Sequence, residues 1–292
     1  MVHSGNDIYI VDSQIHIWGA DTPQRPWPYK LPAHRPVPFS IGDALRELDT
    51  ADVQRAIIVP PWWEGERDDL AVEATTLYPN RFAAMGLFDA IASSGPQRLV
   101  SWLKQPGMLG FRFSSVDPKY LTALIDGHVD WLWAEAERNG IAVMMSVNPD
   151  QLHVINRIAE KHSGLKIVID HLARRIGKKD EEAFPNEAGL LALSKWPNVA
   201  VKASGMPAYT TDAYPYRRMH PYIRRAYDAF GPKRVFWGSD LTKLPCSYRE
   251  AVTMFTEELS WLSTEDKQWI MGRGLCEWLG WKSALQEICE KT

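Results

Sequence analysis

The stretch Lys166-Ile167-Val168-Ile169-Asp170-His171 holds a β-branched apolar run of strand length that ends abruptly in a carboxylate and an imidazole. A strand with one face in water alternates apolar and polar residues, whereas a strand buried on both faces is apolar throughout. The run from Lys166 to Ile169 is of the second kind and predicts a parallel strand covered on both sides. Seven further runs share its character: Ile8 to Val11, Ala56 to Val59, Phe82 to Phe88, Leu109 to Phe113, Ala142 to Val147, Val199 to Ala203 and Val235 to Trp237. Between them lie segments with helical periodicity, among them Asp43 to Thr50, Asp68 to Tyr78, Trp131 to Asn139, Pro149 to His162 and Tyr248 to Leu259.

Eight such strands, each followed by a helical stretch over roughly 250 residues, is the arithmetic of a (β/α)8 barrel. The rival, an open doubly wound sheet, announces itself by Gly-x-Gly-x-x-Gly after its first strand. Here Trp18-Gly19-Ala20 runs on into Asp21, Thr22 and Pro23. The Pro-rich segment from Pro23 to Pro38 reads as a semi-rigid loop rather than a linker, so residues 1–292 are expected to form one domain.

Composition narrows the function. Of the 292 residues, 45% are hydrophobic and 24% charged, which excludes disorder and fibrous repeats. A net charge of −3 with scattered Lys and Arg gives no footprint for nucleic acid. No apolar run approaches the length a bilayer helix needs, and Met1 to Asn6 has no leader character, so no membrane partner and a cytoplasmic location are expected. Cys246, Cys276 and Cys289 lack a Cys-x-x-Cys spacing and read as structural thiols of a reducing compartment. Thirteen Trp residues, several at expected loops, point to an aromatic-lined pocket.

Barrel chemistry gathers at the carboxyl ends of the strands. With period 2, Asp12, Gln14 and His16 share a face at the end of the first strand. Arg112 interrupts an apolar run and must find an anion or lie at the rim. His171 ends the sixth strand, Lys202 interrupts the seventh, and Asp240 closes Val235-Phe236-Trp237-Gly238-Ser239. Taken singly, His16 reads as a rim residue, Asp240 as a helix cap, and Arg112 and Lys202 as partners of rim carboxylates. Their convergence on one end of one barrel favours a shared site.

The segments Asp12-Ser13-Gln14-Ile15-His16-Ile17-Trp18, Gly110-Phe111-Arg112-Phe113, Val168-Ile169-Asp170-His171-Leu172-Ala173 and Phe236-Trp237-Gly238-Ser239-Asp240 resemble the amidohydrolase superfamily. The resemblance runs from about Tyr9 to Trp281 and is nearest to the group containing 2-pyrone-4,6-dicarboxylate lactonase, sugar-acid lactonases and metal-dependent decarboxylases of aromatic acids. That group usually opens with His-x-His; here Gln14 stands in the first position. The resemblance implies one divalent ion, zinc or manganese, among Gln14, His16, His171 and Asp240, or a metal-free site of the kind some of the family's lactonases use. A second departure is Gly272-Arg273-Gly274-Leu275 where the family has Gly-x-Asn-Ala, a matter of helix capping.

The resemblance implies a hydrolase, a lactonase acting on the lactone of a small acid. Asp240 would be the base for water, with His171 or His16 polarising the carbonyl. Arg112 would clamp a substrate carboxylate through its planar fork. Trp62, Trp63 and Tyr209 are expected as flat walls and Arg217 as a further anion contact, with Arg217 and Arg218 equally able to begin a surface helix. A metal-dependent aromatic-acid decarboxylase, a lactone isomerase and an inactive scaffolding relative are the alternatives, and metal content separates the first of these from the lactonase. The expected partner is a small acidic molecule, with a homo-oligomer left open.

Overall fold

A computed structural model describes residues 8–29, 31–91 and 95–282. Eight parallel strands follow one another in chain order: β1 Val11–Ile15, β2 Arg55–Ile58, β3 Phe82–Leu87, β4 Met108–Ser114, β5 Ala142–Ser146, β6 Ile167–Ile169, β7 Val199–Ser204 and β8 Val235–Gly238. The seam between β8 and β1 is closed by a parallel bridge from Ile15 to Leu241, with His16 N donating to Leu241 O at 2.6 Å. The fold is a (β/α)8 barrel, as the apolar runs predict.

The strands alternate between two cores. Val11, Ile57, Val59, Met85, Met144, Val168, Ala200 and Phe236 fill the barrel interior, where Leu275 and Trp281 join them. Their neighbours Ile58, Val143, Ile169 and Val201 face the surrounding helices. The interior register carries Arg112 opposite Met144 and Lys202 opposite Phe236. The apolar layer is therefore continued, toward the strand ends, by a polar one. At the seam Gly238 is required by space, since a Cβ there would stand 2.3 Å from Ser13 Oγ.

Two expectations about elements are corrected. The first strand is Val11–Ile15 rather than Ile8 to Val11. Ladder pairing begins at Val11 opposite Arg55, while Ile10 accepts from Gln54 N and Arg55 N and donates its N–H to the Gln54 side chain at 2.7 Å. The apolar run stops at Val11 because Asp12, Ser13 and Gln14 are polar, yet all three are buried within the strand. Its register shifts between Asp12 and Ile15, which breaks the expected period. Asp12 turns to the seam, accepting from Ser239 N at 3.0 Å and from the Tyr248 hydroxyl at 2.7 Å, while Gln14 and His16 reach the cavity. The helix expected over Tyr248 to Leu259 is α-helical only over Tyr248–Thr253 and continues as a wider π turn over Met254–Glu258.

The loop after β1 is tied down rather than free. Trp18 and Phe39 bridge its base, and Arg25 pairs with Glu64 at 2.7 Å and with Asp69. Leu31, Pro32 and His34 are thereby carried to the barrel mouth. Cys246 and Cys276 are free thiols, and Cys289 lies outside the described residues. Among the described residues no helix is long and apolar enough to cross a membrane.

Candidate active site

A cavity of about 360 Å³ opens at the carboxyl ends of the strands. Its inner wall is Gln14, His16, Arg112, His171, Arg174, Asp240 and Lys243. His16 is oriented by the Val59 carbonyl, 2.6 Å from Nδ1, which leaves Nε2 facing Asp240 Oδ1 at 3.1 Å. His171 is held through Nδ1, 2.8 Å from Ser204 Oγ, and its Nε2 faces Gln14. Both His171 and Asp240 have left-handed backbones, at φ 52° and 55°. Leu172 and Ala173 continue that conformation after His171. Side chains disfavour it, and where surrounding structure enforces it the position is often functional. Gly205 follows β7 at φ 67°, where a Cβ would come 3.0 Å from the Asp240 Cβ.

Gln14 is the centre of the arrangement. Its amide nitrogen lies 2.8 Å from Asp240 Oδ1, 3.3 Å from His16 Nε2 and 3.4 Å from His171 Nε2. Its amide oxygen accepts from Lys202 Nζ. An ammonium can only donate, so the amide must turn its oxygen to Lys202 and its NH2 toward the carboxylate and the rings. The three groups that would ligate a metal thus converge on an N–H donor. Turning the amide oxygen inward would set NH2 against the Lys202 ammonium. The donor set as folded does not fit a divalent ion, and among the described residues no His, Cys, Asp and Glu form a ligand group.

Beneath Gln14 lies a charge network that the sequence disclosed only in part. Lys202, fully buried, pairs with Asp170 Oδ1 at 2.7 Å, and Arg112 Nε pairs with Asp170 Oδ2 at 2.7 Å. Burial opposes the ionised form of Asp170, but the Lys202 and Arg112 charges outweigh it and hold the carboxyl well below the usual range. Asp240 behaves likewise: burial opposes its charge, and the His171 and His16 rings overcome that opposition. Burial pushes the imidazolium form of His171 down, and the Asp240 charge only partly restores it.

The cavity is short of negative charge. Among the described residues that line it, Arg112, Arg174 and Lys243 are cationic and Asp240 is the one acid, while Lys202 and Asp170 pair beneath the lining. Arg174 is buried, stacks over Tyr209 at 4.9 Å, and its Nε has no hydrogen-bond partner among the described residues. Trp62, on a single helical turn after β2, forms a side wall, and Trp63 lines the cavity while packing edge-on against Trp18 and His34. Tyr209 is not a wall: it stands behind Asp240, its hydroxyl 3.5 Å from Oδ2. Arg217 is exposed on the short turn Arg217–Met219 and is not among the residues that line the cavity.

Sequence reasoning missed Asp170, Arg174, Lys243 and His34 as parts of the site. Arg174 and Lys243 each lie three residues beyond a residue it did select, His171 and Asp240, and that spacing was the available signal. His34 belongs to the Pro-rich loop, whose course no local pattern dictates.

The family model described as Amidohydrolase matches residues 11–273, and the chain belongs to that family. An L-fucono-1,5-lactonase of Burkholderia ambifaria is 28% identical over 244 residues, covering 79% of each chain. The solved structure of an amidohydrolase from Burkholderia multivorans with bound zinc superposes with a TM-score of 0.79 at 20% identity, covering 93% of this chain and 99% of that one. That of a "probable 2-pyrone-4,6-dicarboxylic acid hydrolase" from Acinetobacter baumannii, with citric acid bound, superposes at 0.76 with 18% identity, over 94% and 100%.

Proposed function

We propose that this chain is a lactonase that hydrolyses the lactone of a small carboxylic acid, with Asp240 as the base. The observation that carries the reading is the buried Asp240 carboxylate, 2.8 Å from the Gln14 amide, sharing one cavity with Arg112, Arg174 and Lys243. Such a cavity attracts an anion and supplies a base for water in the same space. The lactonase named among the relatives supports the reaction class.

Oδ1 of Asp240 is engaged by the Gln14 amide and faces His16, while Oδ2 accepts a long hydrogen bond from the Tyr209 hydroxyl, at 3.5 Å, and is the oxygen that takes a proton from water. The resulting hydroxide adds to the lactone carbonyl carbon. Negative charge on the carbonyl oxygen is met by cationic donors of the wall, for which Lys243 and Arg174 are the candidates. Collapse breaks the ring C–O bond, and the departing alkoxide recovers the proton from Asp240. Water is added across one ester bond, giving a hydroxy acid. Arg112, fixed through Nε, turns its remaining guanidinium toward the substrate carboxylate.

A zinc or manganese ion, where relatives use one, would act as a Lewis acid on the carbonyl or water. The Gln14 amide does not fit that group, and no step is assigned to it. The test is acid release by the chelated full-length chain from a panel of pyrone carboxylates and sugar-acid lactones. Turnover with at least one member is expected; no release across the panel would reject the reading.

A further inference from the structure

Exposed apolar side chains from three loops ring the mouth of the cavity. Leu31 is 49% exposed, and Val116 and Ile176 are each 42% exposed; they come from the loops after β1, β4 and β6, and all three line the cavity. Past Leu31, Trp62 and Val116 the cavity continues into a second hollow of about 380 Å³, lined by those three residues with Tyr29, Asp117 and Pro118. Tyr29 meets Trp62 edge-on at 6.4 Å, and Trp62 meets Tyr120 at 6.0 Å, so the floor is aromatic. The single acidic group, Asp117, is engaged as the cap of the helix Pro118–Ile125, accepting from Lys119 N at 2.8 Å.

The two compartments differ in chemistry. The inner one has the base and the cations. Apart from the Tyr29 hydroxyl and the helix-capping Asp117 carboxylate, the outer one offers apolar walls, a poor match for a polyhydroxylated ring, most of whose hydroxyls would lose water without gaining partners. We propose that the substrate is a lactone acid carrying an apolar substituent, alkyl or aryl, which passes Trp62 and lies in the outer groove between Leu31 and Val116. This rests on the lactonase reading for the reacting group and goes beyond it in naming the other end of the molecule. A ligand is the fitting occupant because the groove is continuous with the cavity through three shared residues and is formed by six in all. A stable protein interface takes roughly 20–30 residues a side.

The test is a series of δ-lactone carboxylates bearing hydrogen, methyl, propyl, pentyl or phenyl, assayed with the full chain. Their hydroxy-acid products serve as binding probes in calorimetry. Each added methylene is expected to lower KM and the product Kd about three- to fourfold until the groove is filled. Val116→Asp and Leu31→Asp, at exposed positions, are expected to flatten both series. If the parent lactone turns over and both series are flat in the wild type, the proposal is overturned. A flat series with a dimer that covers the groove in sedimentation overturns it in favour of a second copy. If no lactone is hydrolysed but product binding still tightens with chain length, the groove assignment stands and the lactonase reading fails.

Discussion

Gln14 and Asp240 are joined across the barrel seam by a 2.8 Å hydrogen bond in which the amide donates, and Lys202 grips the same amide by its oxygen. One neutral side chain, clamped at both ends, thus stands where two imidazoles and a carboxylate converge. Its replacement by histidine would exchange an N–H donor for a ring nitrogen with a lone pair. Gln14→His is therefore expected to bind zinc at least about tenfold more tightly than the wild type. Metal content and affinity of the two proteins, measured after exhaustive chelation and controlled reloading, check this. Equal affinity would mean that His16, His171 and Asp240 do not form a ligand set in either protein. The variant need not be more active, because an ion held by Asp240 would occupy the base.

Asp240→Asn keeps the shape of the side chain, and its oxygen can still accept from Gln14. The basic lone pair is lost, so the expected effect is a fall in kcat of about a hundred- to ten-thousandfold. Circular dichroism and thermal melting are expected to show an intact fold. Wild-type kcat on a confirmed lactone would remove Asp240 from the role of base.

Arg112→Lys separates charge from geometry. The residue is both half of a buried pair with Asp170 and a lining residue of the cavity, so truncation to alanine would mix lost binding with an uncompensated carboxylate. Lysine keeps the charge near Asp170 but loses the planar fork. A rise in KM of about ten- to a hundredfold for a carboxylate-bearing lactone is expected, with kcat much less affected because the clamp holds a spectator group. An unchanged KM would show that Arg112 serves the Asp170 network alone.

The barrel was legible because seven of its strands are buried on both faces and so are written as apolar runs, Lys166 to Ile169 among them. The first strand is not written as an apolar run, because Asp12, Ser13 and Gln14 are buried polar residues of the seam and the site. Asp12 and Gln14 find their partners in Lys202 on β7, Ser239 just after β8 and Tyr248, contacts that only the closed barrel creates. His16, Arg112, His171 and Asp240 were found by standing at strand ends. Which of them pair with which was not legible, since Lys202 and Asp170 meet across strands from positions 32 residues apart whose contact only the closed sheet creates. Arg217 shows the converse: a basic residue after a strand need not reach the mouth, and this one is exposed on the turn that precedes the helix His220–Phe230, the second of the two places the sequence leaves open for it.

The pH dependence follows from the state of Asp240. Burial opposes its charge, the neighbouring rings overcome that, and its carboxyl is held well below the ordinary value. A carboxylate with a depressed pKa stays ionised above that value and loses its charge only as pH falls through it. The base is thus fully available throughout the neutral and mildly acidic range. Log kcat/KM for a lactone carboxylate is expected to stay level from about pH 8 to about pH 5, the substrate acid remaining ionised there. Asp170, held low by Lys202 and Arg112, favours the folded state in the same way. Its contribution is full above the ordinary Asp value and is lost only as pH falls below it. Initial rates across buffers of constant ionic strength, with melting temperatures recorded in the same buffers, make the measurement. An acid limb with an apparent pKa of about 6.5, in a pH range where the melting temperature is unchanged, would assign the essential base to an imidazole, the group that ordinarily titrates there, and Asp240 would then be read as the residue that orients it.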